Sequence, residues 1–279
     1  MSDLDFYNAF GSELNSGSQS VTSTVGNGSG NIIGGNVITD GSQSVGGHGF
    51  SSPFGSSSEN IGSQTVNATV GNGEGNFIGG NVITEGNQSV GSHGFSSPFG
   101  SGSENIGSQS VNATVGNGEG NAVLGSVVTE GQQSVGGHGF SSPFGSGSLN
   151  VGSQSVNATV ANGEGNFVGG NVVTEGNQSV GGHGFSSPFS FGSENIGSQH
   201  VNATVANGVG NAVLGSVVTE GQQSVGGHGF SSPFGFGSEN IGTQHVNATV
   251  ANGVGNFIGG NVVTEGHQSV GDHGFALHH

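Results

Sequence analysis

The 279-residue chain contains no lysine, no arginine, no cysteine and no tryptophan. Each absence removes a class of function. Nucleic-acid binding draws its affinity from cations that displace phosphate counterions, and none are available. The same lack excludes attachment to an anionic membrane surface. It also excludes every mechanism built on a lysine Schiff base or an arginine clamp. Without cysteine there is no disulfide scaffold and no thiolate metal site. No apolar run approaches the roughly 18 residues of a membrane-spanning helix, so no membrane insertion is expected. The opening stretch, Met1 to Asp5, carries neither the basic nor the apolar region of a Sec-type signal.

What remains is acidic and rich in glycine. Gly supplies 62 residues and the formal net charge is -17. Glycine loses the most freedom on ordering, which disfavours an ordinary globular core. Repetition offers another route. His-Gly-Phe begins at His48, His93, His138, His183, His228 and His273, always 45 residues apart. Residues 6–275 therefore divide into six units: 6–50, 51–95, 96–140, 141–185, 186–230 and 231–275. An unbroken register is what stacking demands, since one inserted residue reverses the side chains that follow. A fainter half-repeat, Gly-x-Gln-Ser-Val, starts at Gly107, Gly131 and Gly152, at steps of 24 and then 21. Each unit thus reads as two rungs.

The local pattern is strand and turn. Val111, Ala113 and Val115 alternate with Asn112 and Thr114, the period of a strand with one buried face. Asn72-Gly73, Asn117-Gly118 and Asn162-Gly163 are turn dipeptides. These features predict an all-β chain: a β-solenoid of six 45-residue units, two rungs each, over 16–275. A six-bladed β-propeller also fits the repeat length, but its blades need larger apolar side chains. Twelve rungs predict a rod about 55–60 Å long.

One alternation stands out. Phe77, Phe167 and Phe257 are each followed two residues later by Gly. In the units between, Ala takes the Phe position and Leu124 or Leu214 takes the Gly position. Positions i and i+2 of a strand share a face. A large-small pair alternating with a small-large pair predicts packing between neighbouring units, with volume conserved. Common descent from a duplicated 90-residue pair is the alternative.

Stacking turns recurring residues into ladders. Asp40, Glu85, Glu130, Glu175, Glu220 and Glu265 form one acidic column, and the Glu members are candidate Ca²⁺ ligands. Against this, two rungs per unit set identical carboxylates about 9–10 Å apart. A solvated acidic face is then the simpler reading. His-Gly-Phe supplies only one metal ligand per unit where a Zn²⁺ site needs three or four. No catalytic constellation recurs, so no enzyme is expected and no cofactor other than Ca²⁺ is a candidate.

Gln-Ser-Val at the rung starts and Asn-Gly-Glu-Gly-Asn at the turns resemble the repeats of curli-type functional amyloid subunits of bacterial biofilms. The resemblance covers nearly all of 6–275 in style. The chain departs from it in the 24/21 alternation and in its Pro and Phe residues. It implies cross-β stacking and extracellular assembly.

The sequence therefore predicts a structural subunit that polymerises with copies of itself at a cell surface or in an extracellular matrix. The alternative is a surface-binding module, an ice-binding protein or adhesin, carried by the column Thr69, Thr114, Thr159, Thr204 and Thr249. Residues 1–15 concentrate apolar bulk in Leu4, Phe6, Tyr7, Phe10 and Leu14. They are expected to serve as a connector or a cap. Residues 276–279 form a tail too short to cover the last rung, which leaves a template for another chain.

Overall fold

A computed structural model describes residues 13–46, 48–50, 58–91, 93–95, 103–136, 138–140, 149–181, 183–185, 194–226, 228–230 and 239–271. Their regular structure is entirely β. Every sheet is parallel and in register, with each residue paired to the residue 45 positions on, as in Val66↔Val111 and Val111↔Val156. A propeller would close each sheet within one unit. Here each sheet runs through the stack, so the fold is a β-solenoid.

Two wide sheets form the body. The long sheet takes one strand per unit: Glu13–Val25, Ser58–Val70, Ser103–Val115, Leu149–Val160, Glu194–Val205 and Glu239–Val250. The facing sheet takes Val37–Val45, Val82–Val90, Val127–Val135, Val172–Val180, Val217–Val225 and Val262–Val270. Two narrow sheets, with strands such as Gly118–Glu119 and Ala122–Val123, close one side of the coil between them. The His-Gly-Phe segments of the first five units pair as a fifth sheet.

One unit is one rung. The expected division into two rungs is corrected by the pairing: Gln109 stacks on Gln64 and Gln154, 45 residues away, and not on Gln133. The two Gly-x-Gln-Ser-Val copies of a unit lie instead on opposite sheets, face to face. The stack has six rungs, about 24 Å from first to last, and not the expected 55–60 Å.

The reason lies in the inward side chains. A Cβ placed on Gly107 would sit 2.5 Å from Val135 Cγ2, and one on Gly131 would sit 2.5 Å from Val156 Cγ2. Each half-repeat thus presents Gly, Gln and Val to the Val, Gln and Gly of the other. Between them the buried glutamines tie the sheets together. Gln109 Nε2 lies 2.8 Å from Gln64 Oε1, 2.8 Å from Gly86 O and 2.9 Å from Gln132 O, so its two N–H groups serve acceptors on its own sheet and on the facing one. These buried amides have the partners that burial requires. Beyond them Val115, Val123, Val127 and Ala113 continue as an apolar core.

At the corner after each long strand the chain takes left-handed backbone. Units 1–3 place Gly26, Gly71 and Gly116 there, and units 4–6 place Ala161, Ala206 and Ala251 with φ of 53–54°. Such a conformation costs an L-residue roughly 1–2 kcal/mol. A Cβ on Gly71 would meet Ile78 Cδ1 at 2.8 Å. Ala161 faces the shorter Val168 at the equivalent place, and its methyl group is fully buried in the core.

Candidate assembly interface and outer ladders

The two ends of the stack differ. The sheets are offset by half a rung, so each inner strand packs between two strands of the opposite sheet. At the first rung the outermost strand is Glu13–Val25 of the long sheet, and Val37 and Val45 behind it are 6% and 7% exposed. At the last rung the outermost strand is Val262–Val270 of the facing sheet, where Val262 and Val270 are 50% and 45% exposed. Their counterparts Val217 and Val225 are buried. Among the described residues nothing covers this last rung.

The glutamine ladders are polar along the axis. Gln64 Nε2 donates to Gln19 Oε1, Gln88 to Gln43, Gln244 to Gln199 and Gln268 to Gln223, at 2.6–2.8 Å. The ladders end in the amide nitrogens of Gln19 and Gln43 at the first rung. At the last rung they end in the amide oxygens of Gln244 and Gln268.

Of the predicted connector, Leu14 lies in the first long strand, 65% exposed, so that strand begins within the segment assigned to residues 1–15. Leu4, Phe6, Tyr7 and Phe10 lie outside the described residues, as do His273 and the tail 276–279.

The acidic column stands on the outer face of the facing sheet. Glu85, Glu130, Glu175, Glu220 and Glu265 pair in register on adjacent strands. Their backbones are therefore about 4.8 Å apart, half the spacing expected from two rungs per unit. Partial burial, then Glu175 and Glu85, raise the pKa of Glu130 above the usual carboxylate range. Partial burial, then Glu220, do the same for Glu175. Among the described residues no three His, Asp or Glu side chains converge as a metal-ion site.

Phe77, Leu124, Phe167, Leu214 and Phe257 are also neighbours, through the register Phe77↔Ala122↔Phe167↔Ala212↔Phe257. They line an outer face and not the core. Phe77 is 38% exposed, Leu124 50%, Leu214 52% and Phe257 56%, with Phe167 half-buried. A Cβ on Gly169 would lie 3.4 Å from Phe167 Cε1 and 3.1 Å from Leu124 O. The Phe ring leans over its own Gly two residues on, and where Ala removes the ring, Leu occupies that space.

Sequence reasoning passed over three features. His200 and His245 stack on adjacent strands, ring centroids 5.1 Å apart and planes 10° apart; the repeated Gln-His-Val of the last two units was the available signal. A shallow groove of about 770 Å³ runs along the facing sheet, between the columns Asn87–Gln132–Asn177 and Ser89–Ser134–Ser179. The polarity of the glutamine ladders has no sequence signal, because an amide can point either way along the axis.

Comparison with protein-family models, with curated proteins and with solved structures finds no match to this chain.

Proposed function

We propose that the chain is a structural subunit that stacks head to tail into a filament, at a cell surface or in an extracellular matrix. The observation that carries this reading is the complementarity of the two ends. A second copy continuing the 45-residue register lays its Glu13–Val25 strand against Glu239–Val250, and its Val37–Val45 strand against Val262–Val270. The projecting long-sheet strand fills the step left by the projecting facing-sheet strand. The Gln19 and Gln43 amide nitrogens meet the Gln244 and Gln268 oxygens, and Val262 and Val270 become as buried as their counterparts. The contact is heterologous and does not close, so it propagates. The acidic, glycine-rich composition suits exported material.

Sedimentation velocity against concentration, with negative-stain microscopy, tests the reading. The full chain should form filaments one solenoid wide. Val262→Asp puts a charge on a half-exposed site of the single subunit, but at a buried site of the filament. It should raise the concentration needed for filaments at least about tenfold while leaving the subunit folded. A chain that stays monomeric at high concentration refutes the filament.

The surface-binding reading keeps one supporting observation. Thr69, Thr114, Thr159, Thr204 and Thr249 all lie on the outer face of the long sheet, beside a hydrogen-bonded asparagine ladder in which Asn112 Nδ2 donates to Asn67 Oδ1 at 2.9 Å. Thermal hysteresis of a dilute solution tests for ice recognition, and its absence removes that form of the reading.

A further inference from the structure

The outer surface carries its charges and its apolar groups in columns parallel to the stack axis. In order around a rung, Glu164 is exposed on one narrow sheet and Phe167 stands outward on the next. Val173 and then Glu175 follow on the outer face of the facing sheet. The neighbouring rungs repeat the order in register, as in Glu119↔Glu164 and Glu130↔Glu175. The result is a strip in which an apolar Phe/Leu column lies between two columns of carboxylates, with a polar column of Asn81, Ser126 and Asn171 between it and the Glu85, Glu130 and Glu175 side. Its centre is the column Phe77, Leu124, Phe167, Leu214 and Phe257. Glu74, Glu119 and Glu164 border one side, and Glu85, Glu130 and Glu175 border the other.

Large apolar groups kept in line on an exposed face mark an interaction surface. Charge decides what it accepts. With no lysine or arginine in the chain, a second copy laid side by side sets carboxylates against carboxylates. Like charges so placed repel one another and disfavour that partner. A neutral apolar partner covers the strip but leaves both borders unpaired. A partner with apolar side chains between lysines or arginines matches the strip and its borders together. It would also relieve the repulsion within the glutamate column.

We propose that this strip is a docking surface for a basic amphipathic segment of another polypeptide, its apolar side chains on the Phe/Leu column and its cations on the flanking carboxylates. The inference holds for a single subunit and does not depend on filament formation.

Fluorescence anisotropy with the full chain at low ionic strength tests it. The probe is a labelled synthetic peptide of alternating Lys and Leu. The controls are an all-lysine peptide of equal charge and an alternating Glu-Leu peptide. The Lys-Leu peptide should bind at least about tenfold more tightly than either control. Leu124→Ser with Phe167→Ser should remove that advantage. Glu119→Gln with Glu130→Gln should weaken binding and flatten its salt dependence without touching the apolar column. Circular dichroism confirms that each variant keeps its β signal. Equal binding of the all-lysine peptide, or no loss in the serine variant, overturns the proposal by reducing the interaction to bulk charge. Side-by-side pairing of subunits that the serine variant abolishes, with no Lys-Leu binding, overturns it in favour of a second copy as the occupant.

Discussion

Gly131 stands against Val156 so closely that any Cβ there would lie 2.5 Å from Val156 Cγ2 and 3.2 Å from Gln154 Nε2. Gly131 and Gly152 open the two half-repeats that the sequence sets 21 residues apart. In the structure each glycine is the socket for a valine of the opposite sheet. The sheets approach closely enough for glutamine amides to bridge them, and this holds at every inner rung.

Gly131→Ala should therefore cost about 2–3 kcal/mol, in the range of overpacking a well-filled core. The backbone there is not left-handed, so the loss comes from the contact alone. Chemical denaturation measures it. Gly165→Ala is a useful contrast, because its Cβ would meet nothing within 4 Å but its φ is +63°. That variant should show only the smaller cost of left-handed backbone, about 1–2 kcal/mol. Equal stability of Gly131→Ala and the parent chain would rule out the close approach of the sheets.

The threonine column of the facing sheet predicts the opposite sign. Thr39, Thr84, Thr129, Thr174 and Thr219 are buried, and their hydroxyls have no hydrogen-bond partner. An unsatisfied buried hydroxyl costs about 1–3 kcal/mol. Thr129→Val keeps the shape and removes the hydroxyl, so it should stabilise the chain by roughly 1 kcal/mol or more. A higher denaturation midpoint is the expected result; a lower one would mean that the hydroxyl has a partner such as bound water.

The outer Phe/Leu column predicts modest and coupled effects. Buried Phe→Ala changes cost about 3–5 kcal/mol, but Phe167 is only half-buried. Phe167→Ala should cost about 1 kcal/mol. Gly169→Leu alone forces its side chain against the Phe167 ring and the Leu124 backbone. In the Phe167→Ala background it recreates the Ala122/Leu124 arrangement and should be tolerated better. A double-mutant cycle reads the coupling. Strict additivity would show that the ring does not lie over Gly169.

Acid should stabilise the fold through its carboxylate column. The pKa values of Glu130 and Glu175 are raised in the folded chain. A raised folded pKa means that the stabilisation is fully present below the unfolded value and lost as pH rises through the folded one. Melting temperature should thus be higher near pH ~4 than near pH ~7. Glu130→Gln with Glu175→Gln should raise stability at neutral pH and shrink the gain on acidification. An unchanged pH profile in that double variant would place the effect elsewhere.

The sequence by itself determined the strands, the stacking of like units and the 45-residue period of the repeat. These follow from period-2 alternation and from a spacing that no insertion breaks. It also placed Phe167 and Gly169 on one face, because i and i+2 in a strand must share one. It did not determine which face that was, since alternation separates two sides without saying which meets solvent. Nor did it determine whether Gln109 and Gln133 stack or oppose one another. Both arrangements give the same inward set of Gly, Gln and Val. Only tertiary packing decided between them, because Gly131 makes room for Val156 when the half-repeats face each other across the core. That choice makes each unit one rung and brings Glu130 beside Glu175. It also leaves the two ends of the stack with the complementary steps from which the filament reading is drawn.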